Sequence, residues 1–273
     1  LVSGLKGRDA LESLLLSEDK KLRVIGARVL GQIRDPRSLS SISASFGRGD
    51  ESFDRELFLA MLNYDFKKLD FQGKTIAIRA FEYALLSDNP YVLPTSTANL
   101  DRLLELTGQP GSELTTKLGE KLKQDIGKDY DDNYKKVFLI KSRMAALDAV
   151  ANAQGTNPQK NLEEVLDMAD HHTRQKVKIL AILLVAKNAV YGDMDSFKKI
   201  VAREYQSGGE TTKGFIGELG GIPFFRLNGL MDAVNGTTSS LETTRTIPVI
   251  SSPEDAKREA VDTIKEMIKR EMG

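Results

Sequence analysis

Apolar residues near the start of this chain recur at steps of three and four, the spacing that aligns side chains on one face of an α-helix. The clearest examples are Leu11, Leu14, Leu15, Leu22, Ile25, Leu30 and Ile33. Further helices are predicted over residues 36–46, 51–63, 73–87, 97–107, 112–126, 132–153, 159–169, 173–190 and 194–206. Short connections rich in proline and glycine separate them. Because no stretch before residue 207 alternates as a strand does, the sequence predicts an all-α fold.

The composition excludes several classes of protein. The 273 residues include no cysteine, which excludes a disulfide scaffold, a thiolate metal site and a cysteine nucleophile. Hydrophobic residues make up 40% of the chain, too large a share for a disordered protein. Lys and Arg number 39 and so do Asp and Glu, a balance that disfavours nucleic acid as the partner. The longest apolar run, 179–186, is far shorter than the roughly 20 residues of a membrane span, so we expect no transmembrane segment.

The absence of cysteine also bears on the compartment. A stray thiol would be oxidised outside the cytoplasm, so its absence slightly favours an exported or periplasmic bacterial protein. A cytoplasmic protein that happens to lack cysteine is the alternative. The sequence therefore predicts export, with a cytoplasmic location left open.

Residues 19–42, DKKLRVIGARVLGQIRDPRSLSSI, carry the most informative pattern. Small residues at Gly26, Ala27 and Gly31 would let a neighbouring helix approach closely. The larger residues Leu22, Leu30 and Ile33 are expected to fill the seam between the helices. Asp35-Pro36 ends one helix and starts the next, because proline suits a first helical turn and not a helix interior.

This segment resembles the signature of a HEAT repeat, particularly the short bacterial type. Echoes of the same pattern lie 120 and 155 residues downstream, and a fainter one lies 55 residues downstream, as expected of a repeat. The resemblance is specific over about 45 residues and only suggestive over roughly 200. It implies an α-solenoid of stacked HEAT-like helical pairs, extending over residues 1–206.

Residues 207–251 depart from the helical pattern. They are rich in glycine and threonine, so we expect an irregular segment that is either a functional or a mobile loop, with one or two helical turns at 229–234. Within it, residues 245–250 could run extended. Ser252-Pro253 then provides an N-cap and a first-turn proline for an amphipathic C-terminal helix over residues 252–273.

The sequence contains two partial metal-binding motifs, and neither has the geometry that a metal site requires. Asp129, Asp131 and Asn133 match the first ligands of a calcium loop, but its turn glycine and terminal glutamate are missing, so an acidic helix start explains them better. His171 and His172 are adjacent on a helix and point about 100° apart, which does not suit one metal ion. We therefore predict no catalytic, cofactor-binding or metal-binding residues.

The leading hypothesis is a non-enzymatic protein-interaction scaffold, because a solenoid presents an extended concave surface. A protein or peptide partner, or a larger assembly, would bind that surface, the Gly-rich segment, or both. The candidate contact residues are Lys20, Arg28, Gln32, Phe224, Phe225 and Arg226. For the Phe pair, core packing is the alternative. The alternative functions are a HEAT-like enzyme of the lyase or hydroxylase type and a nucleic-acid-binding helical repeat protein.

Overall fold

The computed structural model describes residues 2–107, 112–130, 132–236 and 252–272, and within them every regular element is helical. The predicted all-α class is therefore confirmed. The helices are α1 (Val2–Leu14), α2 (Lys20–Ile33), α3 (Leu39–Ala44), α4 (Glu51–Leu62), α5 (Phe71–Leu86), α6 (Val92–Ala98), α7 (Leu100–Thr107), α8 (Ser112–Gly127), α9 (Asn133–Ala153), α10 (Gln159–Met168), α11 (His171–Ala189), α12 (Met194–Ser207), α13 (Glu210–Gly221), α14 (Pro223–Leu227), α15 (Leu230–Asn235) and α16 (Pro253–Met272).

Aspartate is the usual residue before a helix in this chain. Its side chain accepts a hydrogen bond from a backbone N–H of the first turn, which satisfies one of the donors that a helix start leaves without a partner. The capping residues are Asp19, Asp50, Asp70, Asp132, Asp170 and Asp193. At α16 the predicted cap is confirmed, since the Ser252 hydroxyl accepts from the Asp255 N–H.

The chain forms two compact units, Leu1–Thr156 and Asn157–Gly273. The N-terminal unit holds α1 to α9, and the C-terminal unit holds α10 to α16. The boundary lies well before residue 207, where the change in composition suggested one. It falls earlier because α16 packs against α11 and α14, and so belongs with the helices from α10 onward.

Helix α2 packs between α1 and α4 in the N-terminal unit. A Cβ added at Gly26 would lie 2.9 Å from Leu14 Cβ, and one added at Gly31 would lie 2.6 Å from Ala60 Cα. The predicted role of these small residues, a close approach of neighbouring helices, is confirmed. The buried face of α2 is Gly26, Ala27, Leu30 and Gly31.

The prediction that Leu22, Leu30 and Ile33 fill the seam between the helices is only partly correct. Leu30 is fully buried, but Leu22 is 39% exposed and Ile33 is 53% exposed. The expectation for Leu22 and Ile33 is therefore wrong. The physical reason is that α2 approaches its neighbours through its smallest residues, so the larger side chains beside them project past the contact.

Helix α2 ends at a strained residue. Arg34 has φ 57° and ψ 33°, and its N–H bonds to Leu30 O at 3.0 Å. This left-handed position closes many helices, and glycine adopts it without the steric cost that a Cβ brings. We expect Arg34→Gly to raise the free energy of unfolding by about 0.5–1 kcal/mol, measured by urea denaturation. Gln32→Gly, inside the same helix and exposed, should lower it by about 1 kcal/mol. A loss of stability in both variants would contradict the prediction.

The C-terminal unit packs α10, α12 and α16 against α11. Residues 210–235 form α13, α14 and α15, so the irregular segment expected from residue 207 onward is not found over this range. The short helix expected at 229–234 is confirmed by α15. Residues 237–251, including the stretch expected to run extended, lie outside the described residues. The apolar face of α16 is confirmed by burial of Ala256, Ala260, Ile264 and Met267.

Candidate functional site

The exposed face of α2 carries an unusual row of apolar side chains. Leu22, Ile25, Val29 and Ile33 follow one another at steps of three, four and four, which aligns them along the helix. Ile25 is 48% exposed, Leu22 and Ile33 are similarly exposed, and Val29 is half-buried. We call these four residues the apolar row. Within the N-terminal unit they offer uncovered hydrophobic surface on a rigid helix.

A polar row runs beside the apolar row on the same helix. It consists of Lys21, Arg28 and Gln32, spaced at i, i+7 and i+11, and all three are exposed. Arg28 donates two hydrogen bonds to the Glu56 carboxylate, at 2.8 and 3.0 Å, and hydrogen bonding from Arg28 is the main cause that lowers the pKa of Glu56. Two of the predicted contact residues, Arg28 and Gln32, therefore lie together.

The third predicted residue of α2 lies apart from them. Lys20 precedes the polar row by one position and pairs with Asp50 at 2.9 Å, beside the start of α4. Lys21 takes its place in the row, and the sequence analysis missed it. Counting back seven residues from Arg28 would have found it.

The predicted contact residues of the C-terminal unit differ in their accessibility. Phe225 is fully buried, and its ring centroid lies 5.4 Å from that of Phe197. It is a core residue, so the expectation that it contacts a partner is wrong. Its position in α14 turns it inward, whereas Phe224 is half-buried and Arg226 is exposed. Core packing, the alternative for the pair, is correct for Phe225.

The N-terminal unit also contains a cleft of about 600 Å³. Its walls come from the loops that follow α3, α5 and α8, together with the first turns of α4 and α9. We call it the acidic cleft, because its lining holds five carboxylates and two amines. The lining residues are Gly47, Gly49, Glu51, Asp54, Ser87, Asp88, Asn89, Lys128, Asp129, Tyr130, Asp132 and Lys135.

Both amines of the acidic cleft are engaged by carboxylates. Lys135 Nζ lies 2.6 Å from Glu51 Oε1. Lys128 Nζ lies 3.2 Å from Asp88 Oδ2. Asp88 forms a second ion pair with Lys121, whose Nζ lies 2.7 Å from Asp88 Oδ1. Burial alone would raise the pKa of Asp88, but the hydrogen bonds from the two lysines outweigh it and lower the pKa. The cations of the lining are therefore already neutralised.

Asp54 differs from the other carboxylates of the cleft. It is 6% exposed, and it accepts hydrogen bonds from the Gly47 N–H at 2.9 Å and the Tyr83 hydroxyl at 3.3 Å. Neither donor carries a charge. Burial raises the pKa of Asp54, the nearby carboxylates Asp50 and Glu51 add to the rise, and the two hydrogen bonds oppose it. Asp54 is thus a buried acid without a bound cation among the described residues.

A buried ion pair supports one wall of the cleft. Arg143 and Asp125 are both fully buried, and Arg143 Nε donates to Asp125 Oδ2 at 2.7 Å. The remaining guanidinium nitrogens donate to Leu85 O at 2.6 Å and Ser87 O at 3.0 Å. Arg143 therefore fixes the loop after α5, whose residues Ser87 and Asp88 line the cleft.

Sequence reasoning did not find the acidic cleft. Asp129 and Asp132 were noticed, and the interpretation as an acidic helix start is confirmed for Asp132, which accepts from the Tyr134 N–H at 2.8 Å. Asp131 lies outside the described residues. The other walls come from loops distant in the sequence, and no sequence motif indicates that these loops lie together in the fold.

Two features are absent from the part of the chain that the structure describes. Among the described residues, no three side chains of His, Cys, Asp or Glu are grouped as they would need to be to hold a metal ion. In the same part of the chain, no helix combines the length and the apolar character needed to cross a bilayer.

Comparison with known proteins identifies no relative of this chain. No family model, no curated protein and no solved structure matches the chain.

Proposed function

We propose that the protein is a non-enzymatic interaction scaffold, an α-solenoid resembling HEAT-repeat proteins, and that α2 is its principal contact helix. The observation that carries this proposal is the apolar row, Leu22, Ile25, Val29 and Ile33, exposed on a helix whose opposite face is packed. Exposed apolar rows bordered by polar side chains are typical of interaction surfaces. Helix–helix docking is the recognition mode that suits such a row.

The charge of α2 defines the partner. Residues 20–34 contain five cations and no acid. Arg28 and Lys20 are paired within the unit, whereas Lys21 and Arg34 have no acidic partner among the described residues. A second copy of α2 would bring five more cations to the same interface, so self-association through this face is disfavoured. The partner that fits is an amphipathic helix of another protein, with leucine or isoleucine on one face and Asp or Glu beside it.

The rigid setting of α2 favours this mode of binding. Contacts at Gly26 and Gly31 hold α2 tightly between α1 and α4, so the apolar row is already arranged before a partner arrives. A preorganised surface loses less conformational entropy on binding than a loop does. The polar row beside it, Lys21, Arg28 and Gln32, would then set the orientation of the partner helix.

A designed peptide pair tests the proposal. One labelled helical peptide carries leucines at helical spacing flanked by glutamates, and its counterpart carries lysines in place of the glutamates. We expect the glutamate peptide to bind the full chain in fluorescence anisotropy, with NMR shift changes concentrated on α2. Ile25→Glu should weaken that binding at least tenfold, or about 1.4 kcal/mol. Phe71→Glu, which changes an 87% exposed apolar residue of α5, is the matched control and should leave the affinity unchanged.

Three results would overturn this proposal. The first is failure of the glutamate peptide to bind the full chain. The second is equal binding of the lysine peptide, which would remove the charge argument. The third is binding to vesicles of phosphatidylserine and phosphatidylcholine in place of the glutamate peptide, since a basic amphipathic helix can also attach to an anionic lipid surface.

A further inference from the structure

The acidic cleft retains an excess of negative charge after its internal pairing. Of its five carboxylates, Glu51 and Asp88 are paired with lysines. Asp132 accepts from the backbone at the start of α9, and Asp129 has no partner among the described residues. Asp54 is bonded only by neutral donors. The cleft is therefore electrostatically complementary to a cation that the described residues do not themselves provide.

Asp54 is placed to bind such a cation directly. A carboxylate offers about four acceptor positions, and Gly47 and Tyr83 occupy two of those of Asp54. A buried carboxylate that lacks a cation is costly, and a bound cation would remove that cost. This feature separates Asp54 from an ordinary cluster of surface acids, because it is buried where the cleft is lined and has acceptor capacity left.

The volume of the cleft and the arrangement of its acids indicate which kind of cation would fit. A volume of about 600 Å³ falls within the range of small-molecule sites and far exceeds the space that one metal ion needs. Within the described part of the chain, the acids also do not group as metal ligands. An alkylammonium group meets both conditions, since it has three N–H donors and an apolar stem that can pack along the side chain of Tyr130 in the lining.

We propose that the acidic cleft binds a primary alkylammonium group, with Asp54 as its buried acceptor and Asp129 as an acceptor at the rim. Two sources supply this chemistry: a free diamine, and the lysine side chain of a peptide. The site is separate from the contact surface of α2, so its occupancy and the docking of a partner helix are tested independently.

Isothermal titration calorimetry on the full chain tests the site with two probes, cadaverine and Nα-acetyl-lysine methylamide. We expect at least one of them to bind with one-to-one stoichiometry, and the affinity to fall as salt is raised. Binding of cadaverine alone assigns a free diamine, binding of the lysine derivative alone assigns a peptide, and both results support the site. Asp54→Asn should weaken the binding at least tenfold, and Asp129→Asn should weaken it less.

Asp195→Asn is the matched control, because Asp195 is an 88% exposed carboxylate of α12 outside the cleft and should leave the affinity unchanged. Asp54→Asn keeps the shape of the side chain and removes a buried charge, so its melting temperature should not fall below that of the unaltered protein. The proposal is overturned if neither probe binds, if Asp54→Asn binds as tightly as the unaltered protein, or if calcium chloride binds while both amines do not.

Discussion

Replacing Arg143 by methionine is expected to lower the free energy of unfolding of the N-terminal unit by about 3–5 kcal/mol. Arg143 and Asp125 are both fully buried, and the substitution leaves Asp125 with only the more distant Lys121, 3.9 Å away, as a cation. It also removes the donors to the carbonyl oxygens of Leu85 and Ser87. The cost arises from the groups left without partners more than from the net value of the ion pair itself.

Two further variants separate these contributions. Arg143→Lys keeps the charge but lacks the planar fork that reaches several acceptors at once, so we expect an intermediate loss. Asp125→Asn added to Arg143→Met removes the buried charge and should recover about 1–3 kcal/mol of the loss. Recovery should be incomplete, because the two carbonyls still lack their donor.

Denaturant titration followed by circular dichroism gives the total stability, and hydrogen exchange of peptides from α8 and α9 assigns the loss to the N-terminal unit. The loop after α5 should also exchange faster, since Arg143 no longer fixes it. A loss below about 1 kcal/mol for Arg143→Met would contradict the role assigned to this ion pair.

The sequence predicts well what local spacing determines. The helical class and the close approach at Gly26 and Gly31 all follow from residue types at short range, and the structure confirms them. Local rules also account for the helix starts, because an aspartate or serine cap acts within its own first turn.

Burial on α2 could not be predicted in the same way. Apolar side chains at helical spacing occur on both of its faces, and periodicity alone does not say which face meets the neighbouring helices. The contact follows Gly31 and Ala27, so Leu22 and Ile33 stay exposed. The stripe of small residues was the better signal, since helices approach most closely where side chains are shortest.

The acidic cleft depends on contacts that local patterns do not contain. Arg143 reaches the carbonyl of Leu85, 58 residues earlier in the chain, and Lys135 reaches Glu51, 84 residues earlier. These pairings follow from the tertiary packing of α4, α5, α8 and α9. The glycines of residues 210–235 led to the wrong prediction of an irregular segment. Helices α13 to α15 accommodate these glycines despite their low helix propensity.

Gly31→Ala should destabilise the N-terminal unit, with an expected loss of about 1–3 kcal/mol in the free energy of unfolding. The new Cβ would lie 2.6 Å from Ala60 Cα and 2.8 Å from Ala60 Cβ. The nearest obstacle is backbone, which cannot rotate away as a flexible side chain can. Helices α2 and α4 must therefore separate, and their packing loses contact along its length.

The sign of this effect is what makes it informative. In an open helix position the same substitution stabilises, because alanine has a higher helix propensity than glycine by about 1 kcal/mol. Gly7 of α1 is such a position, since no atom of the described residues lies within 4 Å of a Cβ built there. Gly7→Ala should therefore raise the stability of the same unit slightly, where Gly31→Ala lowers it.

A compensating change locates the clash. Ala60→Gly removes the Cβ that the new methyl group would meet, so it should restore part of the stability lost in Gly31→Ala, measured in parallel urea titrations. The same titrations apply to the proposed contact surface, since a displaced α2 would carry its apolar row with it. If Gly31→Ala proved as stable as Gly7→Ala, the close packing of α2 on α4 would be wrong, and the preorganisation of that surface would lose its basis.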